Sequence, residues 1–253
     1  MFNLHTVAQT SHHRGDLAKY ITSVAYGRPV HVIGSGPSAL NYVHDPDAYV
    51  IVTNAAVQKW GHLADLHVMI EAQVWVFPWA LDQGEFGGRT VLALDCIGKN
   101  MPDEARRAYS DRWWQSALWA KRHLYHKGMD MTELGSGPVQ FAGRGGVGMC
   151  AIHLGNVANR GGEIHTWGME FYFPDGVQHF YGDTPYGDTQ SSTGLVSFAI
   201  IDGEACSGVD GPYISTPYFI ASSQAIRKWC RLADINLIDH SGGLLEPSRM
   251  VCI

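Results

Sequence analysis

The chain has 253 residues, 18 basic against 24 acidic side chains and a net charge of -6, with 45% hydrophobic and 17% charged residues. Such a composition excludes disorder as the main state and argues against a nucleic-acid protein that works by neutralising phosphates. The length supports a full hydrophobic core without disulfide or metal staples.

The five cysteines (Cys96, Cys150, Cys206, Cys230, Cys252) are scattered, odd in number and free of CxxC spacing, so they read as reduced thiols of a cytoplasmic protein. The N-terminal stretch is polar and lacks an apolar signal core. The longest strongly apolar run, Leu195–Ile201, is too short to span a bilayer, so no integral membrane segment is expected. Arg outnumbers Lys twelve to six. That bias suits local recognition of phosphate or carboxylate on a small ligand.

In chain order, a β-branched strand, Val30–Ile33, runs into Gly34-Ser35-Gly36-Pro37-Ser38 and a helix expected over Pro37–Val43. Glycines after a strand let the backbone bend and approach an anion, and Pro37 suits the first helical position. The loop reads either as a phosphate cradle or as a tight strand-to-helix turn. It is not a dinucleotide fingerprint, since the second strand, Tyr49–Thr53, ends at Asn54 with no acidic residue to hold a ribose. It is not a Walker A loop, because GK[ST] is absent.

A helix Ala55–Lys59 and strands Leu66–Ile70 and Thr90–Leu94 follow. Residues 100–135 read as a small helical insert with helices Pro102–Ala108 and Arg112–His126. Trp113, Ala117, Ala120 and Leu124 would share one face of the second. Core packing explains that face; a lid clamping an anion through Arg106, Arg107, Arg112 and Arg122 is the alternative.

A strand Val139–Phe141 then leads to a second glycine loop, Gly143-Arg144-Gly145-Gly146-Val147, and a small-residue helix Gly146–Asn159. Gly145 and Gly146 could bring backbone N–H groups to a second part of a ligand, with Arg144 as charged partner. The other reading is a helix packed tightly on the sheet. A strand Glu163–Trp167 leads into Gly168-Met169-Glu170-Phe171-Tyr172. In the polar loop beyond it, His179 is a candidate general base, with Asp175, Asp183 or Asp188 to orient its ring; His240 is a second. Residues 202–216 read as irregular strand and turn, followed by a helix Ser222–Ala233 and a strand Asn236–Ile238. Strands alternating with helices define a single α/β domain over residues 1–253, Rossmann-like, with a mostly parallel sheet and helices on both faces. Two glycine loops at strand ends of one sheet stand where open α/β sheets bind ligands.

The ordered set VIGSGPSAL, VTN at Asn54, GGVGMCA and GMEFYF resembles the group containing bacterial CMP-sialic-acid-dependent sialyltransferases, Maf-type flagellin-glycosylation proteins and archaeal 6-hydroxymethylpterin diphosphokinases. The resemblance implies a nucleotide-sugar-dependent transferase, with a CMP-sugar donor as substrate, no tightly bound cofactor, and a glycan or small-molecule acceptor in glycan or surface-polysaccharide synthesis. It places nucleotide contacts at Gly34, Ser35, Gly36, Pro37, Ser38 and Asn54, and at Gly145, Gly146 and Val147. Glu170 stands where the sialyltransferases have Asp, and Tyr172 and Tyr181 would steady the departing phosphate. The catalytic His of those enzymes has no counterpart in Ser215-Thr216-Pro217-Tyr218. The diphosphokinase alternative implies Mg²⁺ on Glu71 and Glu170; the plain reading of each carboxylate is a loop cap. A non-catalytic nucleotide-binding protein is the third reading, and oligomer formation is compatible with all three.

Overall fold

A computed structural model describes residues 23–69, 85–93, 118–123, 140–142, 146–159, 161–176, 179–180, 194–207 and 209–247 of the chain. Eight strands form one sheet: β1 (Val30–Ile33), β2 (Tyr49–Thr53), β3 (Leu66–Met69), β4 (Arg89–Ala93), β5 (Leu118–His123), β6 (Gln140–Ala142), β7 (Ile164–Trp167) and β11 (Leu237–Asp239). Their order is β11-β7-β1-β2-β3-β4-β5-β6, and every neighbouring pair is parallel. Between them lie β8 (Val196–Ile201), β9 (Glu204–Ser207) and β10 (Tyr213–Ser215), a separate antiparallel sheet of order β10-β8-β9.

The central strands are buried on both faces, every residue of β1, β2 and β3 being enclosed. That explains their continuous apolar runs. On one face Val30, Val32, Tyr49, Ile51, Leu66, Val68 and Ile164 pack against α2 (Gly146–Asn159) and α3 (Pro217–Leu232). On the other, Ile33, Val50, Val52 and Met69 meet Ala39 and the residues of α1 (Ala56–Trp60). The alternation follows the two-residue period of a strand. In α2, a Cβ at Gly155 would stand 2.9 Å from Val30 Cγ1, so its small residues let the helix settle onto β1. The fold is the expected open parallel α/β sheet with helices on both faces.

Three local expectations need correction. The helix expected over Arg112–His126 is replaced over Leu118–His123 by β5, which pairs with β4 and β6; the other residues of that segment, including Trp113, Ala117 and Leu124, lie outside the described residues. The segment after β1 is a short 3-10 turn, Pro37–Asn41, that ends when Tyr42 becomes extended. The strand and turn expected over residues 202–216 are β9, β10 and the turns around them. Finally, α3 starts at Pro217, five residues earlier than expected, because Thr216 caps it by accepting from the Phe219 N–H at 3.1 Å.

Candidate functional site

Strand order reverses around β1. The chain builds outward from β1 to β6 on one side and then returns to lay β7 on the other. Such a switch point, at the carboxyl ends of the strands, is where open α/β sheets take ligands. Here the loops after β1 and β7 meet. Gly34 N–H donates to Trp167 O at 2.7 Å and Gly36 N–H to Gly168 O at 3.0 Å. Gly168 N–H donates to Ser38 Oγ at 2.8 Å. A Cβ at Gly34 would overlap the Gly168 carbonyl, and one at Gly36 would overlap the Glu170 carboxylate. The glycines of the first loop thus admit the neighbouring loop.

Glu170 reaches back beneath the first loop, and its Oε1 accepts from Ser38 N–H at 2.6 Å. The residue is 3% exposed. Burial pushes its carboxyl above the ordinary carboxylate range, partly offset by the bonds from Ser38. The carboxylate caps the 3-10 turn, supplying the acceptor that Gly36 at the N-cap position lacks. With Ala39 N–H bonded to Gly36 O, Ser35 is left as the loop N–H without a partner among the described residues. Its hydroxyl lies 3.5 Å from Thr53 O.

Asn54 closes β2 at the same edge with a left-handed backbone, φ 46°. Its N–H donates to Val68 O at 3.2 Å, and its carbonyl accepts from Val57 N–H at 3.3 Å and from His67 Nε2 at 3.0 Å. Its Oδ1 is buried with no partner among the described residues. His179 is brought to this edge by its neighbour: Phe180 N–H donates to Ser35 O at 2.9 Å, and the Phe180 ring packs on Trp60, centroids 4.8 Å apart.

Gly146 opens α2 at φ 65°, and a Cβ there would lie 3.4 Å from the Tyr218 hydroxyl. Gly148, two residues on, faces Met169 and Phe171. Val147 packs on the α2 side of the sheet. Tyr172 is half-buried against Phe198 and Tyr213; burial first and Glu170 second push its phenol upward. Ser215 donates from Oγ to Phe171 O at 2.7 Å, so the segment without the sialyltransferase His supports the loop after β7. Pro37 heads the 3-10 turn. Asp175 is exposed with φ 51°. Arg144, Gly145, Tyr181, Glu71, Asp183 and Asp188 lie outside the described residues.

His240 stands elsewhere, on the opposite side of β7 from β1. It stacks on Trp167, centroids 4.3 Å apart, and its Nε2 lies 2.9 Å from His165 Nδ1. Three other residues carry weight at the site and were not singled out from sequence. His67 was hidden as one more polar residue in an apolar strand. Asp239 accepts from Thr166 Oγ1 at 2.8 Å and from Ser241 N–H at 3.1 Å. Ser241 in turn accepts from Met169 N–H at 3.0 Å. This network ties β11 to the loop carrying Glu170; IDHSGG could have signalled it as an Asp and a Ser beside a strand end.

Fold and site together define an open parallel α/β protein with its loops gathered at the switch point. No family model matches the chain, and no curated protein does. Among solved structures it is similar to the MAf glycosyltransferase from Magnetospirillum magneticum AMB-1, with 11% identity and a TM-score of 0.47. The match covers 94% of this chain and spans 40% of that protein's length. No helix among the described residues is long and apolar enough to cross a membrane.

Proposed function

We propose that the protein binds a nucleotide sugar, of the CMP-sugar kind, at the β1–β7 switch point and transfers the sugar to a glycan or small-molecule acceptor. The observation that carries this reading is the convergence, at one sheet edge, of the two-glycine loop, Asn54, Glu170 and the His179–Phe180 segment. Ser35 and Asn54 meet the nucleotide, while Gly36, Pro37 and Ser38, braced by Glu170, give the loop its shape. Gly146 and Val147 meet a second part of the nucleotide from the start of α2, and Arg144 and Gly145 serve the same ligand. Tyr172 and Tyr181 steady the leaving phosphate, and His179 takes the proton from the acceptor hydroxyl. Glu170 is engaged by Ser38 N–H, which favours its use as a loop brace over the Mg²⁺ role that the diphosphokinase reading gives it with Glu71. The donor acts as a substrate, and the reading invokes no resident cofactor.

The test is transfer from a CMP-sugar donor in EDTA, by wild type and His179→Ala. The reading expects metal-independent transfer and a loss of about a hundredfold or more in the variant. Nucleotide binding without turnover in either protein points to the non-catalytic binding module instead. Dependence on ATP and Mg²⁺ points to the diphosphokinase.

A further inference from the structure

We propose that His67 is a positioning residue: from β3 its imidazole holds Asn54 in the left-handed turn that sets the Asn54 side chain at the ligand edge. The inference rests on the nucleotide reading of that edge. His67 is fully buried, and a buried imidazole is costly unless its polar atoms are used. Its Nε2–H donates to Asn54 O at 3.0 Å, which fixes the tautomer. Burial holds it neutral, its pKa lowered to about 3, so the donor is kept across the physiological range. The ring edge meets Phe86, centroids 5.8 Å apart.

Asn54 is therefore held from two sides. The β3 backbone takes its N–H through Val68 O, and the β3 side chain takes its carbonyl. A left-handed turn alone would be met by glycine without strain. Asn54 instead carries an amide whose Oδ1 is buried with no partner among the described residues, an arrangement that costs stability unless a ligand donor satisfies it. The sequence offers the amide at the edge, and the fold places a neutral donor behind it to keep it there.

Three proteins test this: wild type, His67→Leu and His67→Gln, the last presenting an amide N–H at about the reach of Nε2. Backbone NMR resonances of Asn54 report the turn directly, and calorimetric titration with CMP reports its use. The proposal expects His67→Leu to shift the Asn54 resonances and weaken CMP by about tenfold, one hydrogen bond's worth. His67→Gln should restore both. Shifted resonances in a protein whose wild type binds no CMP leave the positioning role standing and remove the nucleotide reading. Unmoved Asn54 resonances in His67→Leu overturn the proposal, as does equal weakening of CMP by both variants. If His67→Leu does not fold, the imidazole ¹⁵N spectrum of wild type decides: protonated Nε2 supports the proposal, and protonated Nδ1 overturns it.

Discussion

A methyl group at position 36 tests whether the first glycine loop is shaped by the neighbouring loop or by a ligand. Gly36 has φ -71° and ψ 166°, a backbone open to any residue, so alanine there brings no conformational strain. Its Cβ would overlap Glu170 Oε2, stand 2.7 Å from Glu170 Cδ and lie 2.9 Å from Gly168 O. To admit it, Glu170 must leave Ser38 N–H. Losing that charged acceptor costs about 1.5–3 kcal/mol, and residual overpacking adds about 1 kcal/mol or more. Gly36→Ala should therefore destabilise by about 3 kcal/mol, lowering Tm by roughly 6–12 °C for a chain of this size. Glu170→Ala alone should cost about 2 kcal/mol, chiefly the unsatisfied Ser38 N–H. The double variant should cost about 3 kcal/mol, because the methyl then fills the vacated space and keeps only its contact with Gly168 O at 2.9 Å. The expected coupling is about 2 kcal/mol, well above the scatter of independent sites. Gly34→Ala is the control: its Cβ meets the Gly168 carbonyl, which no side-chain truncation removes, so Glu170→Ala should not rescue it. Denaturant unfolding of the single and double variants decides the matter. Additive costs for Gly36→Ala and Glu170→Ala, or an unchanged Tm for Gly36→Ala, would mean that the Glu170 carboxylate does not shape the loop.

Two further predictions concern pH. His31 and His67 are buried with pKa values lowered to about 4 and about 3. Their neutral forms stabilise the fold above the unfolded value of about 6.5, and that contribution is lost as pH falls toward the folded values. Unfolding at pH 5 should be easier than at pH 8 by roughly 2 kcal/mol for each group, and His67→Gln should remove about half of this acid sensitivity; an unchanged pH profile in that variant would contradict it. Glu170 works in the other sense. Its folded pKa is raised, so its contribution is present below the ordinary carboxylate range and fades as pH rises through the folded value. Glu170→Gln, whose amide oxygen can still accept from Ser38, should gain stability relative to wild type between pH 4 and pH 8. A difference constant across that range in paired denaturant curves would argue against a strained buried carboxylate.

The sequence carried the central strands because burial on both faces leaves unbroken apolar runs. Val30–Ile33 and Tyr49–Thr53 could be bounded to the residue, and the small-residue helix Gly146–Asn159 likewise. Only Asp202-Gly203 marks the second sheet in the sequence: these residues take φ 51° and 76°, the left-handed pair of a two-residue hairpin. Leu118–His123 misled in the other direction. Ala, Leu, Lys and Arg favour a helix locally, but the edges of β4 and β6 pair with the segment on both sides, and that is not visible in local propensity. At the site, Gly34–Ser38 and Asn54 stood out because glycines and a strand-end Asn are punctuation. What Gly36 accommodates was not legible. Its neighbour is Glu170, 134 positions away in sequence, and only the return of the chain across β1 brings the two together.

A nucleotide at the β1–β7 switch point would be seen in calorimetric titration of the protein with CMP, CDP and ATP, each with and without Mg²⁺. Cytidine nucleotides should bind without metal, and Asn54→Ala should weaken them by tenfold or more. Binding of ATP alone, only with Mg²⁺ and unaffected by Asn54→Ala, would contradict it.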